Sequence, residues 1–311
     1  MKESVKVFAP ASIGNVSCGF DVLGLAVNEP GDEVLLTLTS SSKVSIKSIE
    51  GGDGKVPPEA DKNTASVAVL AYLKAIGSNQ GVDIILYKNL PLGSGMGSSA
   101  ASAVAAVVAI NHLMGEPLTR EQLLPFVMEA ERVACGSAHP DNAAPSLLGG
   151  LILARSVDPL DIVRIPTPNE LMCVMVHPQI EVRTKDARQV LKSSISLKDG
   201  ITQWANTAAL VAGMMKEDYE LIGRSLVDVV AEPLRSVLIP GFDQIKKAAV
   251  ENGALGCGIS GSGPTVFCLC KGVENAQRAA NTIQEKFNSM NLRNESFVSS
   301  VNNQGARILE A

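Results

Sequence analysis

The residues of this 311-residue chain that bear most directly on chemistry are Asn89-Leu90-Pro91-Leu92-Gly93-Ser94-Gly95-Met96-Gly97-Ser98-Ser99-Ala100-Ala101. Three glycines in five positions let the backbone turn tightly and bring its N–H groups within hydrogen-bond reach of a ligand. The Ala-rich run that follows predicts a helix over Ser98 to Met114, whose free N–H groups and positive dipole end point at the same place. That is a site for a polyphosphate. Pro91, Leu92, Gly93, Ser94, Gly95, Met96, Gly97, Ser98 and Ser99 are its candidate residues. No Gly-Lys-Ser/Thr follows the glycines, so the loop is not a Walker A motif, and the spacing is not that of dinucleotide folds. A Gly/Ser loop by itself is an ordinary turn. Its place before a helix of small, closely packing side chains favours the phosphate reading.

Strands and helices must position this loop. Val5 to Ala9, Glu33 to Leu38, Val44 to Ile49, Asp83 to Lys88 and Leu151 to Ala154 read as strands, and Asn63 to Ile76, Ser98 to Met114 and Thr119 to Ala134 as helices. Thr119 with Gln122 predicts a capping box, and Gly115 a helix stop. Pro159 to Asn169 reads as the boundary between two domains, 1–168 and 169–311, as the chain length also suggests. Beyond it, strands over Met172 to His177, Thr265 to Cys270 and Phe297 to Val301 alternate with helices over Thr184 to Lys192, Gly200 to Lys216, Tyr219 to Val230, Phe242 to Glu251 and Asn275 to Met290. The second half is α+β.

With 46% hydrophobic and 19% charged residues the chain has enough apolar surface for real cores. A net charge of −5 and a pI near 5.4 argue against nucleic-acid and membrane-surface partners. The first residues lack the pattern of a secretory signal and no apolar run reaches membrane-spanning length, so a soluble cytoplasmic protein is expected. The six cysteines show no C-x-x-C spacing, and Cys268 and Cys270 read as same-facing residues of a buried strand.

Pro91 to Ala100 resembles the nucleotide-binding motif of the GHMP kinases. Two further stretches resemble that family's other motifs: Ala9-Pro10-Ala11-Ser12-Ile13-Gly14-Asn15-Val16-Ser17-Cys18-Gly19-Phe20-Asp21-Val22-Leu23-Gly24 the first, and Gly256-Cys257-Gly258-Ile259-Ser260-Gly261-Ser262-Gly263-Pro264-Thr265 the third. Together they span most of the chain in the family's order. Ser137 to Pro145, Thr184 to Arg188 and Arg235 before Pro240-Gly241 resemble the homoserine-kinase branch. Val16-Ser17-Cys18 departs from it, standing where Leu-Gly-Pro is commoner and placing Cys18 near the substrate.

The resemblance implies an α+β, two-domain fold: an N-terminal α/β nucleotide-binding domain and a C-terminal ferredoxin-like domain. It implies ATP and Mg²⁺, with the metal on Ser99 rather than Ser98 and on Glu131. For L-homoserine it implies Arg188 and Arg235 at the carboxylate, Asp21 and Asn15 at the ammonium, and His139, Asn142 and Thr184 as further contacts. Asn63 and Lys88 resemble positions near adenine and the phosphates, and Gly258, Ser260, Gly261, Ser262 and Gly263 form a second glycine loop closing over the site. Two proton routes stay open, direct passage to phosphate beside Asn142 or transfer to Asp141. Other GHMP substrates, such as mevalonate or a sugar, lack the ammonium and do not require this charge arrangement. A homodimer is the assembly the family suggests.

Overall fold

The computed structural model describes residues 3–136, 139–182 and 184–311, without the side chains of Ala134, Cys135 and Thr184. The first half contains β1 (Ser4–Gly14), β2 (Leu23–Thr39), β3 (Val44–Gly51), α1 (Thr64–Ala75), β4 (Gly81–Lys88), α2 (Ser98–Leu113), α3 (Arg120–Cys135), α4 (Pro140–Leu148), β5 (Leu151–Val157) and β6 (Leu160–Ile165). The second half contains β7 (Leu171–Pro178), α5 (Thr184–Gln189), α6 (Leu197–Lys216), α7 (Tyr219–Ser225), α8 (Glu232–Arg235), α9 (Phe242–Glu251), β8 (Ala254–Ile259), β9 (Val266–Lys271), α10 (Val273–Ser289), β10 (Asn294–Ser300) and β11 (Arg307–Glu310).

The first sheet has the order β11-β1-β2-β4-β3, with β5 and β6 extending from β2. Its pairs are antiparallel except β3 with β4. The last strand thus returns to the first sheet. The second sheet has the order β10-β7-β9-β8, all antiparallel. Numbered within that half, the order is 4-1-3-2 with helices after the first and third strands, which is the ferredoxin-like arrangement. Among the described residues no helix is long and apolar enough to cross a membrane.

Alternation decides which core each strand feeds. Cys173, Met175, Phe267 and Leu269 face the large core that also holds the first sheet's helices. Val174, Val176, Val266, Cys268 and Cys270 face a second core under α9 and α10. Cys268 and Cys270 therefore point the same way, buried and free, as the strand reading predicts. The predicted capping box opens α3, with Gln122 Oε1 accepting from Thr119 N–H at 2.8 Å.

The structure departs from the sequence reading in several elements, α4, α8 and β11 among those it adds. The strand read over Glu33 to Leu38 is the second part of a longer β2 that begins at Leu23, with the register against β1 shifting between Pro10 and Ser12. Pro159 to Asn169 contains β6, folded back on β5. The helix predicted to Val230 ends at Ser225. The strand β8 is unpredicted because its sequence, ALGCGI, carries two glycines. Added Cβ atoms there would meet Leu226 and the Phe267 ring at 2.6 and 3.0 Å, so close packing explains the glycines.

The phosphate-loop segment leaves the end of β4, and its foot is fixed by a buried ion pair. Lys88 pairs with Asp32 of β2, their side chains only 2% and 0% exposed. The Lys88 ammonium also donates to the Ser98 carbonyl and, at 2.8 Å, to Ser102 Oγ on the first turns of α2. Asp32 accepts from Leu90 N–H at 2.9 Å and Ser102 Oγ at 2.7 Å. Sheet, loop and helix thus meet in one polar knot.

Removing one member of such a pair strands the other charge in the core. Asp32→Asn is expected to cost about 3–5 kcal/mol. Denaturant unfolding followed by far-UV circular dichroism checks this, and Asp32→Leu with Lys88→Met together should recover part of the loss.

Candidate active site

Between the two sheets lies a cleft of about 240 Å³ lined by residues from every motif named above. One end is the first glycine loop: Leu92, Gly93, Ser94, Gly95, Gly97, Ser98 and Ser99 line it, followed directly by α2. Gly95 has φ of +78°, and a Cβ there would meet the Ser260 carbonyl at 2.3 Å. The second glycine loop is that close because it is bonded to the first: Ser260 Oγ donates to the Gly95 carbonyl at 2.8 Å, and Thr265 N–H to the Ser94 carbonyl at 3.1 Å. Of the second loop, Gly261 and Ser262 line the cleft, whereas Ser260 and Gly263 buttress it and Gly258 sits back in β8.

The other end carries charge. Arg188 donates a two-pronged fork to Asp21, with Nη1 to Oδ2 at 3.1 Å and Nη2 to Oδ1 at 3.0 Å. Arg235 is buried; its Nε donates to the Ala187 carbonyl at 3.0 Å and its Nη1 to the Gly261 carbonyl at 2.9 Å. Both guanidiniums lie near the Phe20 ring, at 5.8 and 5.3 Å from its centroid. Asn15 Nδ2 donates to the same Gly261 carbonyl at 3.0 Å, and Asn15 Oδ1 accepts from Asp21 N–H at 2.9 Å.

The loop bearing these groups is strained. Asn15, Val16, Ser17 and Asp21 have φ of 68, 44, 63 and 58°, a region that costs a non-glycine residue roughly 1–2 kcal/mol. Val16 is β-branched, which makes it the sharpest outlier. Ser17, too, holds a conformation that glycine adopts at no steric cost.

His139, Asp141 and Asn142 enter the cleft from the start of α4. Asn142 Oδ1 accepts from Ser12 Oγ at 3.0 Å, which fixes the amide. His139 Nδ1 lies 3.6 Å from Asp21 Oδ2, and burial lowers its pKa. Burial, with Asp21 nearby, pushes the Asp141 carboxyl up to about 7. Glu131 of α3 is raised by burial, against the opposing effects of a Ser99 hydrogen bond and the Lys88 charge. Its Oε1 is buried without a hydrogen-bond partner.

A hydroxyl and a carboxylate with a spare oxygen are hard donors of the kind Mg²⁺ takes, so Ser99 and Glu131 fit that ion. Among the described residues no group of three or more His, Cys, Asp and Glu could hold a metal alone. An ion on Ser99 and Glu131 would complete its shell with waters or ligand oxygens.

The profile of the GHMP kinases N terminal domain matches residues 63–150, and that of the GHMP kinases C terminal domain residues 209–289. The chain belongs to the GHMP kinases. This GHMP kinase is 52% identical to a homoserine kinase of Chlorobium phaeobacteroides strain BS1, over 99% of this chain and 100% of that protein. A crystal structure of homoserine kinase from Cytophaga hutchinsonii superposes with a TM-score of 0.97 at 54% identity, covering 99% and 98% of the two chains. The structure of L. major mevalonate kinase in complex with R-mevalonate shares the fold alone, with a TM-score of 0.72 at 15% identity over 95% and 96% of the two chains.

Several expected residues stand outside the cleft. Asn63 is the N-cap of α1, accepting from Ala65 N–H at 3.0 Å and donating to the Pro57 carbonyl at 2.9 Å. Lys88 and Met96 are buried beneath the loop, and Pro91 precedes its glycines without lining the cleft. The side chain of Thr184, like Ser137 and Ala138, lies outside the described residues. Cys18 is buried off the cleft, and burial pushes its thiol up to about 12. Sequence reasoning passed over Ser12 and Phe20, which stand inside the first motif, and Asp32, the partner of Lys88.

The Asp141 pKa has a consequence for stability. The folded value lies above the unfolded one of about 4, so the native state holds this proton more tightly. Its contribution to stability falls as pH rises from about 4 to about 7. Asp141→Asn cannot ionise, so its melting temperature relative to the parent protein should climb across that window and level off above it, as calorimetry at stepped pH would show.

Proposed function

We propose that this protein is a homoserine kinase, transferring the γ-phosphoryl group of ATP to the side-chain hydroxyl of L-homoserine to give O-phospho-L-homoserine and ADP. The observation that carries the proposal is a helix-backed glycine loop sharing one cleft with a matched guanidinium–carboxylate pair. An amino-acid zwitterion presents a carboxylate and an ammonium together. It can therefore engage Arg188 and Arg235 at one end and Asp21 and Asn15 at the other without leaving either residue's charge uncompensated. Mevalonate and sugars cannot make that exchange.

Within the proposal the loop from Pro91 to Ser99 holds the triphosphate, and the second loop, Gly258 to Gly263, covers it. Ser99 and Glu131 hold Mg²⁺, which when bound neutralises charge on the phosphates. Lys88 and Asn63 act indirectly, the first by holding the loop's foot and the second by capping α1. Asn142, oriented by Ser12, positions the attacking hydroxyl, and His139 and Thr184 complete the substrate contacts. The hydroxyl attacks directly and its proton passes to phosphate. Asp141, partly protonated near neutral pH, spares the triphosphate a full facing negative charge. We assign residues 1–168 to the nucleotide domain and 169–311 to its partner, with β11 lent back to the first sheet. A cytoplasmic setting accords with the free buried cysteines, and a homodimer is the assembly the family suggests.

ADP release from Mg-ATP tests the reading, with L-homoserine beside L-serine, L-threonine, mevalonate, galactose and no acceptor. L-homoserine alone is expected to support turnover. Arg235→Leu should lower kcat/KM for L-homoserine by roughly 10²-fold, the scale of lost charged hydrogen bonds. Turnover on mevalonate or a sugar instead sinks the substrate.

A further inference from the structure

The helix that carries Arg235 is only four residues long, too short to hold its own conformation. It is held from the buried Asp228, whose Oδ1 accepts from Val230 N–H at 2.8 Å and Ala231 N–H at 3.0 Å, and whose Oδ2 accepts from Glu232 N–H at 2.8 Å. Asp228 is in turn gripped by Gln203 of α6. Gln203 Nε2 donates to Asp228 Oδ1 at 2.9 Å and to the Cys18 carbonyl at 2.8 Å, while its Oε1 accepts from Val229 N–H at 2.9 Å. Thr207, one turn further along α6, donates to the same Cys18 carbonyl at 2.7 Å. Cys18 lies midway along the strained loop between Asn15 and Asp21.

We infer that Gln203 and Asp228 are positioning residues for the carboxylate end of the amino-acid subsite, bracing the Arg235 helix against the Asn15–Asp21 loop. The inference rests on the homoserine reading above. Neither residue lines the cleft, so each acts through others. One side-chain amide spans the two backbones that carry opposite ends of the zwitterion's binding frame. A loop with four left-handed non-glycine residues persists only where its surroundings over-determine it, and the two bonds to the Cys18 carbonyl are such a restraint. Burial and the nearby Arg188 lower the Arg235 pKa, and the charges of Asp21 and Asp228 oppose them.

Gln203→Glu keeps the shape and turns the shared donor into an acceptor facing a carboxylate and a carbonyl. With this variant the KM for L-homoserine is expected to rise about tenfold or more, while the KM for ATP stays near its parent value. In the double variant with Arg235→Leu the two losses should not multiply, because one acts through the other. If Gln203→Glu fails to fold, Gln203→Met, which adds no charge, carries the same measurements. Equal shifts in both KM values, no shift in either, or losses that multiply in the double variant overturn the brace. Parent enzyme silent with L-homoserine sinks the substrate reading instead; active parent enzyme with unmoved variants sinks the brace alone.

Discussion

A lysine ammonium in a protein interior must be neutralised and hydrogen-bonded in full, and the fold is arranged to do that for Lys88. Asp32 comes from β2, Ser98 and Ser102 from α2, and Leu90 from the segment between them. The knot fixes where the sheet stops, where the loop rises and where the helix starts. A phosphate loop has value only if its N–H groups are aimed before the ligand arrives, since aiming a flexible loop costs backbone entropy. Lys88 thus fixes the foot of the glycine loop without lining the cleft.

On that foundation the two glycine loops lock together. Gly95 lacks a side chain because the Ser260 carbonyl occupies the space one would fill. Gly261 N–H donates to the Gly14 carbonyl at 3.0 Å, and the Gly261 carbonyl receives both Asn15 and Arg235. One residue of the second glycine loop, Gly261, therefore joins the first motif to the guanidinium through both of its backbone polar groups. The ferredoxin-like half closes the site through backbone groups as much as through side chains.

The parts of this arrangement legible in sequence are those whose chemistry is local. Gly93 to Gly97 before an Ala-rich helix announces itself, as do Thr119 and Gln122, because each signal lies within a few residues. What escaped depends on partners far along the chain. Asp32 sits in a Pro-Gly-Asp turn signal, yet β2 runs through it because β1 and β4 supply its pairing. Gly256 and Gly258 weaken a strand by propensity, while packing against Leu226 and Phe267 requires them. Arg188 and Arg235 are ordinary charges until Asp21, more than 160 residues away from Arg188, meets the first and Gly261 the second. Resemblance to a family named those residues as site residues; neither it nor periodicity gave the pairings.

The same logic separates this chain from relatives that share only its fold. The mevalonate kinase shows that the fold survives at 15% identity in a protein whose named ligand is R-mevalonate, so the fold cannot select the acceptor. Selection must come from charges that a given acceptor alone satisfies. Here a guanidinium and a carboxylate compensate each other across a fork, and a second buried guanidinium lies beside them. A neutral alcohol offers nothing to replace the fork if it is opened, and an anion without an ammonium satisfies the arginines while stranding Asp21. A zwitterion satisfies both. The price of keeping that frame rigid is a loop held in left-handed conformations, and its cost is offset by bonds to the Cys18 carbonyl, Asn15 and Gly261 rather than by anything the ligand provides.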